Sequence, residues 1–184
     1  QAQYGRAPGS VAVVAASKAQ PIDAIRQLAG LGQRLFGENY LQEACPKLDA
    51  CADLNLEWHY IGALQSNKAA EVARRFDWVH TVASLQIAQR LGAARPANRP
   101  PLNVCLQVNI DRQASKAGIA PEAAADLAHA VAQLPGLSLR GLMTLPAPAA
   151  NFAAQRRPLR ALRELLESLR RQGVTLAGDL GRGA

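Results

Sequence analysis

VAVVAASKAQPIDAIRQLAG, residues 11–30, carries the first reading of the fold. Its opening six residues, 11–16, form a continuous apolar run with Pro8, Gly9 and Ser10 before it and Ser17, Lys18 and Pro21 after it. That pattern predicts a strand buried on both faces. Downstream, Ile22, Ile25, Leu28 and Ala29 recur at helical spacing, with proline at the start and Gly30 and Gly32 at the end. A strand therefore feeds directly into a helix.

The same unit returns along the chain. Residues 34–36 predict a second strand before Gly37, and 40–51 a helix interrupted or begun late at Pro46. A strand at 57–61 precedes a helix at about 67–76, and a strand at 78–82 precedes a helix at 85–94. The longest strand, 102–110, is fed by the proline-rich loop 96–101 and followed by a helix at 121–133. A sixth strand is predicted at 137–143, a long helix at 151–172, and the start of a seventh strand at 174–176. Such units with short loops imply parallel strands joined by right-handed crossovers. The architecture expected is an α/β fold, a TIM-type barrel of eight strand-helix units whose last portion is absent or incomplete. Periodicity alone leaves a doubly wound open sheet as the alternative. Against its dinucleotide-binding form, no G-x-G-x-x-G follows the first strand, and Gly178, Gly181 and Gly183 have no helix after them.

Composition narrows the class. A chain of 184 residues suits one domain, and 49% hydrophobic with 19% charged residues is too apolar for disorder. No run approaches the roughly 18 apolar residues a membrane helix needs. Cys45, Cys51 and Cys105 form neither a dense disulfide framework nor a paired C-x-x-C site, and no secretory apolar region opens the chain. A reducing, cytoplasmic setting is expected, without a membrane partner. The net charge of +7 invites a nucleic-acid reading, but 17 of the 21 basic residues are arginine, a skew that beside abundant alanine suits a GC-rich coding background. Aromatic residues make up only 4%, too few for a base-stacking surface, so no nucleic-acid partner is expected. In the helix at 151–172, Leu159, Leu162, Leu166 and Leu169 fall on one side while Arg156, Arg160, Arg163, Arg170 and Arg171 lie elsewhere, as on any outer helix.

In a parallel barrel, chemistry gathers at the carboxyl ends of the strands. Lys18 stands first: after a strand buried on both faces, desolvation would favour a neutral amine able to condense with an aldehyde. A solvated lysine in a turn is the plainer reading. Gly37, Glu38, Asn39 and Tyr40 end the second strand, where Asn39 equally suits a helix N-cap. His59 lies on the third, followed by Ile61, Gly62, Gln65, Ser66, Asn67 and Lys68; Ser66 or Asn67 reads as an N-cap, or the set as an anion site. Asn109 ends the fifth, with Ser115, Lys116 and Gly118 in its loop, and Gly141 and Met143 end the sixth, Met143 reading as core packing. His59, His80 and His129 lack metal-ligand spacing, and no Ser/His/Asp order or close carboxylate pair stands out.

Taken together, Ala16-Ser17-Lys18, Phe36-Gly37-Glu38-Asn39-Tyr40 with Gln42-Glu43-Ala44, and Trp58-His59-Tyr60-Ile61-Gly62 with Leu64-Gln65-Ser66-Asn67-Lys68 resemble the pyridoxal-phosphate homeostasis protein family. So do Gln107-Val108-Asn109-Ile110, Ser115-Lys116-x-Gly118 and Arg140-Gly141-Leu142-Met143, in order across residues 11–176. The resemblance implies a barrel like that of alanine racemase and binding of pyridoxal 5'-phosphate. It further implies a role in vitamin B6 and amino-acid balance, without a firm enzymatic activity. By motif, it makes Lys18 the residue that forms the aldimine with the cofactor aldehyde. It places Asn39 near the ring hydroxyl, His59, Ile61 and Met143 around the ring, and Asn109 on the barrel mouth.

The sequence departs from that family at both ends. The helix before the first strand is largely missing, and Val174-Thr175-Leu176 is followed by Ala177-Gly178-Asp179-Leu180-Gly181-Arg182-Gly183-Ala184 in place of a Ser-Met-Gly-Met-Ser loop, a helix and a strand bearing Val-Arg-Ile-Gly-Thr. Loops after the last two strands commonly hold phosphate in such barrels. The expectation is a single cofactor-binding domain over residues 1–184, omitted or truncated at that cup, because an open barrel edge is costly. The function expected is a monomeric, non-catalytic carrier of pyridoxal phosphate, with client pyridoxal enzymes as partners. A pyridoxal-dependent amino-acid racemase is the alternative, and it needs a second proton-transfer group across the ring.

Overall fold

The computed structural model describes residues 5, 7–113 and 116–177. Ser115 and the glycines at 178, 181 and 183 lie outside the described residues, as does everything after Ala177. Six strands, β1 (Ala15–Ala16), β2 (Leu35–Glu38), β3 (Glu57–Tyr60), β4 (Trp78–Val82), β5 (Leu102–Gln107) and β6 (Leu137–Met143), form one sheet in the order of the chain. Every pairing is parallel. A doubly wound sheet reverses its strand order partway, whereas this order runs unbroken from β1 to β6, as along the arc of a barrel.

The crossovers contain α1 (Ile22–Gly30), α2 (Leu41–Ala50), α3 (Ala69–Arg75), α4 (Leu85–Ala94) and α5 (Ala124–Ala132); α6 (Phe152–Arg171) follows β6. One face of the sheet is buried under these helices. There Phe36 meets Trp58 with ring centroids 5.8 Å apart, Tyr60 meets Phe76 edge-on at 5.3 Å, and Val79, Val104, Leu106 and Leu139 are buried. Small residues on the inner helix faces, including Ala44, Ala69, Ala73, Ala88, Ala124 and Ala128, are completely buried and let the helices approach closely. The opposite, concave face carries Gly37, His59, Ile61, Trp78 and His80.

The structure corrects several local readings. Residues 11–16 are not buried on both faces: Val13 is 71% exposed and only Ala15–Ala16 pair, because β1 has a neighbour on the β2 side alone among the described residues. Pro46 neither interrupts nor delays its helix. α2 runs through it with Lys47 and Leu48 buried beyond, so packing outweighs the missing amide hydrogen bond. The helix at 67–76 begins as a 3-10 turn, Ser66–Lys68, and that at 121–133 as a 3-10 turn, Pro121–Ala123. Ser84 and Asn151 cap α4 and α6, accepting from the amides of Ile87 and Ala154. Residues 174–176 form no ladder: Val174 and Leu176 are buried, and the amide of Ala177 donates to the Leu139 carbonyl at 2.8 Å.

Candidate functional site

At the carboxyl ends of the strands lies a cavity of about 290 Å³ lined by residues of the β2, β3, β4 and β5 ends and of the loop after β5. Gly62 makes its tight corner. A Cβ there would sit 2.0 Å from the Asn39 carbonyl oxygen, so the ends of β2 and β3 close upon each other only because this position has no side chain. Thr81 Oγ1 donates to the Gly62 carbonyl at 2.6 Å and fixes the corner from β4.

The third wall is the loop after β5. Its amide of Ile119 donates to Gln107 at 2.8 Å and its carbonyl accepts from the Asn109 amide at 2.9 Å. The Asn109 carboxamide spends itself on this loop, donating to Gln113 O at 2.8 Å and accepting from Gln113 N at 3.1 Å, while Gln107 Nε2 donates to Ala117 O at 3.1 Å. Gly118, at φ +122 with its missing Cβ 2.8 Å from the Asn109 amide nitrogen, permits the return. Lys116 thereby joins the lining, its amine donating to Leu145 O at 2.8 Å.

Asn39, Ile61 and Asn109 are thus brought together in one lining, as their strand-end positions predict. Among the described residues the Asn39 side chain has no hydrogen-bond partner, so its donors and acceptor are available to a ligand. Lys18 is exposed and lies outside the lining. The ladder nevertheless sets its place. Ala16 pairs with Gly37 and Glu38 with Tyr60, and the bonds Ser17 N to Gly37 O and Ile61 N to Glu38 O carry both ladders to the strand ends. Lys18 then enters a turn closed by the bond Gln20 N to Ser17 O at 3.0 Å, after the strand that neighbours β2 and its Asn39 end. Ser17 turns to the buried face, where its hydroxyl donates to Glu38 Oε1 at 2.7 Å. The burial expected to favour a neutral amine is not present, because β1 is an edge strand among the described residues.

His59 and Met143 stand apart from this cavity. His59 is buried below it, its Nδ1 2.8 Å from His80 Nε2 and its ring stacked on Trp78 at 5.4 Å. Its Nε2 lies 3.0 Å from Glu57 Oε1 but without hydrogen-bond geometry, so that buried nitrogen has no hydrogen-bond partner among the described residues. Burial holds both imidazoles down at about 4, His80 also through His59, and raises the Glu57 carboxyl, with Asp77 adding to it. Met143 pairs with Gln107 at the end of β6, and its carbonyl accepts from the Val108 amide at 2.8 Å.

A buried ionic group behind Lys18 escapes the sequence reading. Lys47 Nζ donates to Glu38 Oε1 at 2.8 Å, Glu43 Oε1 at 2.6 Å and Ser17 O at 2.7 Å, with Glu38 fully buried and Lys47 nearly so. The Lys47 hydrogen bond, then that of the Ala19 amide, holds Glu43 below the usual carboxylate range, with Lys18 contributing through space. A lysine in an amphipathic helix ordinarily marks the solvent side, and no local signal marks this one as buried. Among the described residues no group of three or more His, Cys, Asp or Glu could hold a metal ion, the three cysteines form no disulfide, and no helix is long and apolar enough to cross a membrane.

The alanine racemase N-terminal domain family matches residues 3–177 of this chain. The "Pyridoxal phosphate homeostasis protein" of Pseudomonas aeruginosa is 55% identical over 165 residues, covering 90% of this chain and 72% of that relative. Among solved structures, PipY of Synechococcus elongatus with pyridoxal phosphate bound superposes with a TM-score of 0.79 at 36% identity, over 93% of this chain and 80% of that one. An alanine racemase of Clostridium difficile superposes with a TM-score of 0.76 at 13% identity, over 93% of this chain and 46% of that one, a likeness of fold alone.

Proposed function

The chain belongs to the pyridoxal phosphate homeostasis protein family, with the fold of the alanine racemase N-terminal domain, and we propose that it binds pyridoxal 5'-phosphate through Lys18 and holds it without turning over a substrate. The observation that carries this reading is the cavity at the strand ends whose Asn39 carboxamide has no hydrogen-bond partner among the described residues, with Lys18 in the turn that follows the adjacent strand β1.

The residues present suit that cofactor. A cavity of about 290 Å³ is of a size for one substituted ring, below the range of most drug-sized ligands. Ile61 offers an apolar wall, and Asn39 offers hydrogen bonds to a ring substituent. Lys116 bonds Leu145 with one of its three N–H donors, which leaves donors and positive charge for an anionic group. When bound, the cofactor supplies an electrophilic aldehyde to which a lysine amine adds reversibly with loss of water. Lys18 brings the amine, and its exposure lets the aldehyde enter and leave. His59 and Met143 act from farther off, His59 as part of the packed floor beneath the cavity and Met143 through the strand end that carries the Leu145 segment.

The lining also supports binding over turnover. Interconverting amino-acid enantiomers needs proton-transfer groups on both faces of the ring. Among the described lining residues the sole titratable side chain is Lys116, which this reading assigns to the anionic group; the neighbouring Tyr40 is 62% exposed and not in the lining. A role in pyridoxal phosphate homeostasis, as its relatives' name states, and so in vitamin B6 balance, follows from reversible capture and release to other pyridoxal proteins.

Adding pyridoxal phosphate to the pure protein should raise an absorbance band at the visible edge that Lys18→Ala abolishes. Borohydride reduction and peptide mapping should find the fixed adduct on Lys18. A band of full height in Lys18→Ala would overturn the assignment. Exchange of the L-alanine α-proton in deuterated buffer well above the rate with free cofactor would instead favour the racemase.

A further inference from the structure

Both peptide groups that flank Lys18 are held by side chains of α2. On one side the Ser17 carbonyl accepts from Lys47 Nζ at 2.7 Å; on the other the Ala19 amide donates to Glu43 Oε1. Glu43 and Lys47 lie one helical turn apart and bond each other at 2.6 Å, and Lys47 is anchored in turn to the fully buried Glu38, which also accepts from the Ser17 hydroxyl. Ala19 takes φ +57, a conformation a non-glycine residue adopts only when its surroundings hold it there. The Ser17-Lys18-Ala19 turn is thus bonded to β2 through Ser17 alone, and to one face of α2 through both peptide groups that flank Lys18.

Stability alone is a weak reason for this arrangement. A buried Lys–Glu pair gives up two hydration shells, and replacing it with apolar side chains is often neutral or favourable. What the pair does supply is direction: its donors and acceptors fix the two peptide planes around Lys18 and so limit where the Lys18 stem can start. The turn needs such an external brace because β1 pairs over only two residues and has no partner on its outer side among the described residues.

We propose that Glu43 and Lys47 are positioning residues that brace the Lys18 backbone so that its amine meets the carbonyl of the incoming cofactor; this rests on the reading of Lys18 as the capturing residue. Neither side chain touches the cavity, and both act through the turn. Glu43 is the better one to vary, since its side chain is one-third exposed and its loss leaves Glu38 and Lys47 paired with each other.

The test compares the full chain with Glu43→Ala and Glu43→Gln, the glutamine keeping an oxygen able to accept from Ala19. Three quantities are measured: the melting temperature, exchange of the Ala19 amide with deuterium in the absence of cofactor, and the rate of borohydride-fixed labelling at each lysine by pyridoxal phosphate. In Glu43→Ala, exchange at Ala19 should quicken and labelling at Lys18 should slow by about tenfold, the scale of losing orientation at one reacting group. Labelling at Lys68 and melting should barely change, and Glu43→Gln should recover most of both Lys18 readouts. Parental labelling of Lys18 in Glu43→Ala overturns the brace, as does failure of Glu43→Gln to recover. No Lys18 adduct in the unmodified protein overturns the reading beneath it instead.

Discussion

Replacing Gly62 by alanine probes how the site is built. The new Cβ would lie 2.0 Å from the Asn39 carbonyl oxygen and 2.7 Å from two further Asn39 backbone atoms, and reaching an ordinary 3.4 Å contact means parting the chains by roughly 1.4 Å. None of those atoms can swing away as a side-chain end can. Two bonds hold the corner shut, Ile61 N to Glu38 O at 2.9 Å and Thr81 Oγ1 to Gly62 O at 2.6 Å, and such a displacement breaks or bends both. At about 1 kcal/mol for each, less roughly 0.5 kcal/mol returned because alanine restricts the unfolded chain, and with some added strain, the expected loss is about 2 kcal/mol. For a domain of this size that is roughly 4–8 °C in melting temperature. Circular dichroism against temperature and urea supplies the measurement, and the rate of pyridoxal phosphate capture supplies a second readout. Capture should fall too, because Asn39 moves with its carbonyl. A Gly62→Ala protein that melts within 1 °C of its parent and captures at the parental rate would refute the close approach on which the cavity depends.

The buried imidazole pair makes stability depend on pH. His59 and His80 fall from an ordinary 6.5 to about 4 in the fold, so the unfolded chain binds more protons between those values and stability is lost as pH falls from about 6.5 to about 4. Urea midpoints should show that loss, at least about 2 kcal/mol by the size of the shifts, and His59→Gln/His80→Gln should flatten the slope; an unchanged slope would count against a desolvated pair. Burial pushes the Cys105 thiol up to about 12, Arg140 opposing it only in part, so a disulfide reagent at pH 8 should modify Cys105 far more slowly in the native protein than in urea. Equal rates in the two states would show the thiol to be accessible.

The chemistry-bearing strand ends are legible from the sequence because each sits where an apolar run stops. Asn39, Ile61 and Asn109 all fall at such breaks, and all three meet in one lining. Lys18 is legible by the same rule, and it stands exposed in a turn as its plainer reading has it; what is misjudged is the burial of the run before it, since an apolar run says nothing about which neighbours a strand has. Lys47 is invisible for a related reason: one lysine in a helix is assigned to solvent, and only the approach of Glu38 from β2 and Ser17 from β1 makes a buried position tenable. The contact of His59 with His80 spans 21 positions and exists because parallel pairing sets adjacent strands in register.

What the sequence by itself determined is the repetition of strand and helix, the parallel sense that follows from it, and the set of residues delivered to the carboxyl edge of the sheet. These are consequences of local periodicity and of chain direction. Which of those residues share a cavity, which are spent bonding a loop, and which charges are buried were decided only by tertiary structure, because each depends on atoms far along the chain meeting within a few ångströms. Side-chain spacing along a strand states which face a residue takes; only the register between strands states what stands beside it.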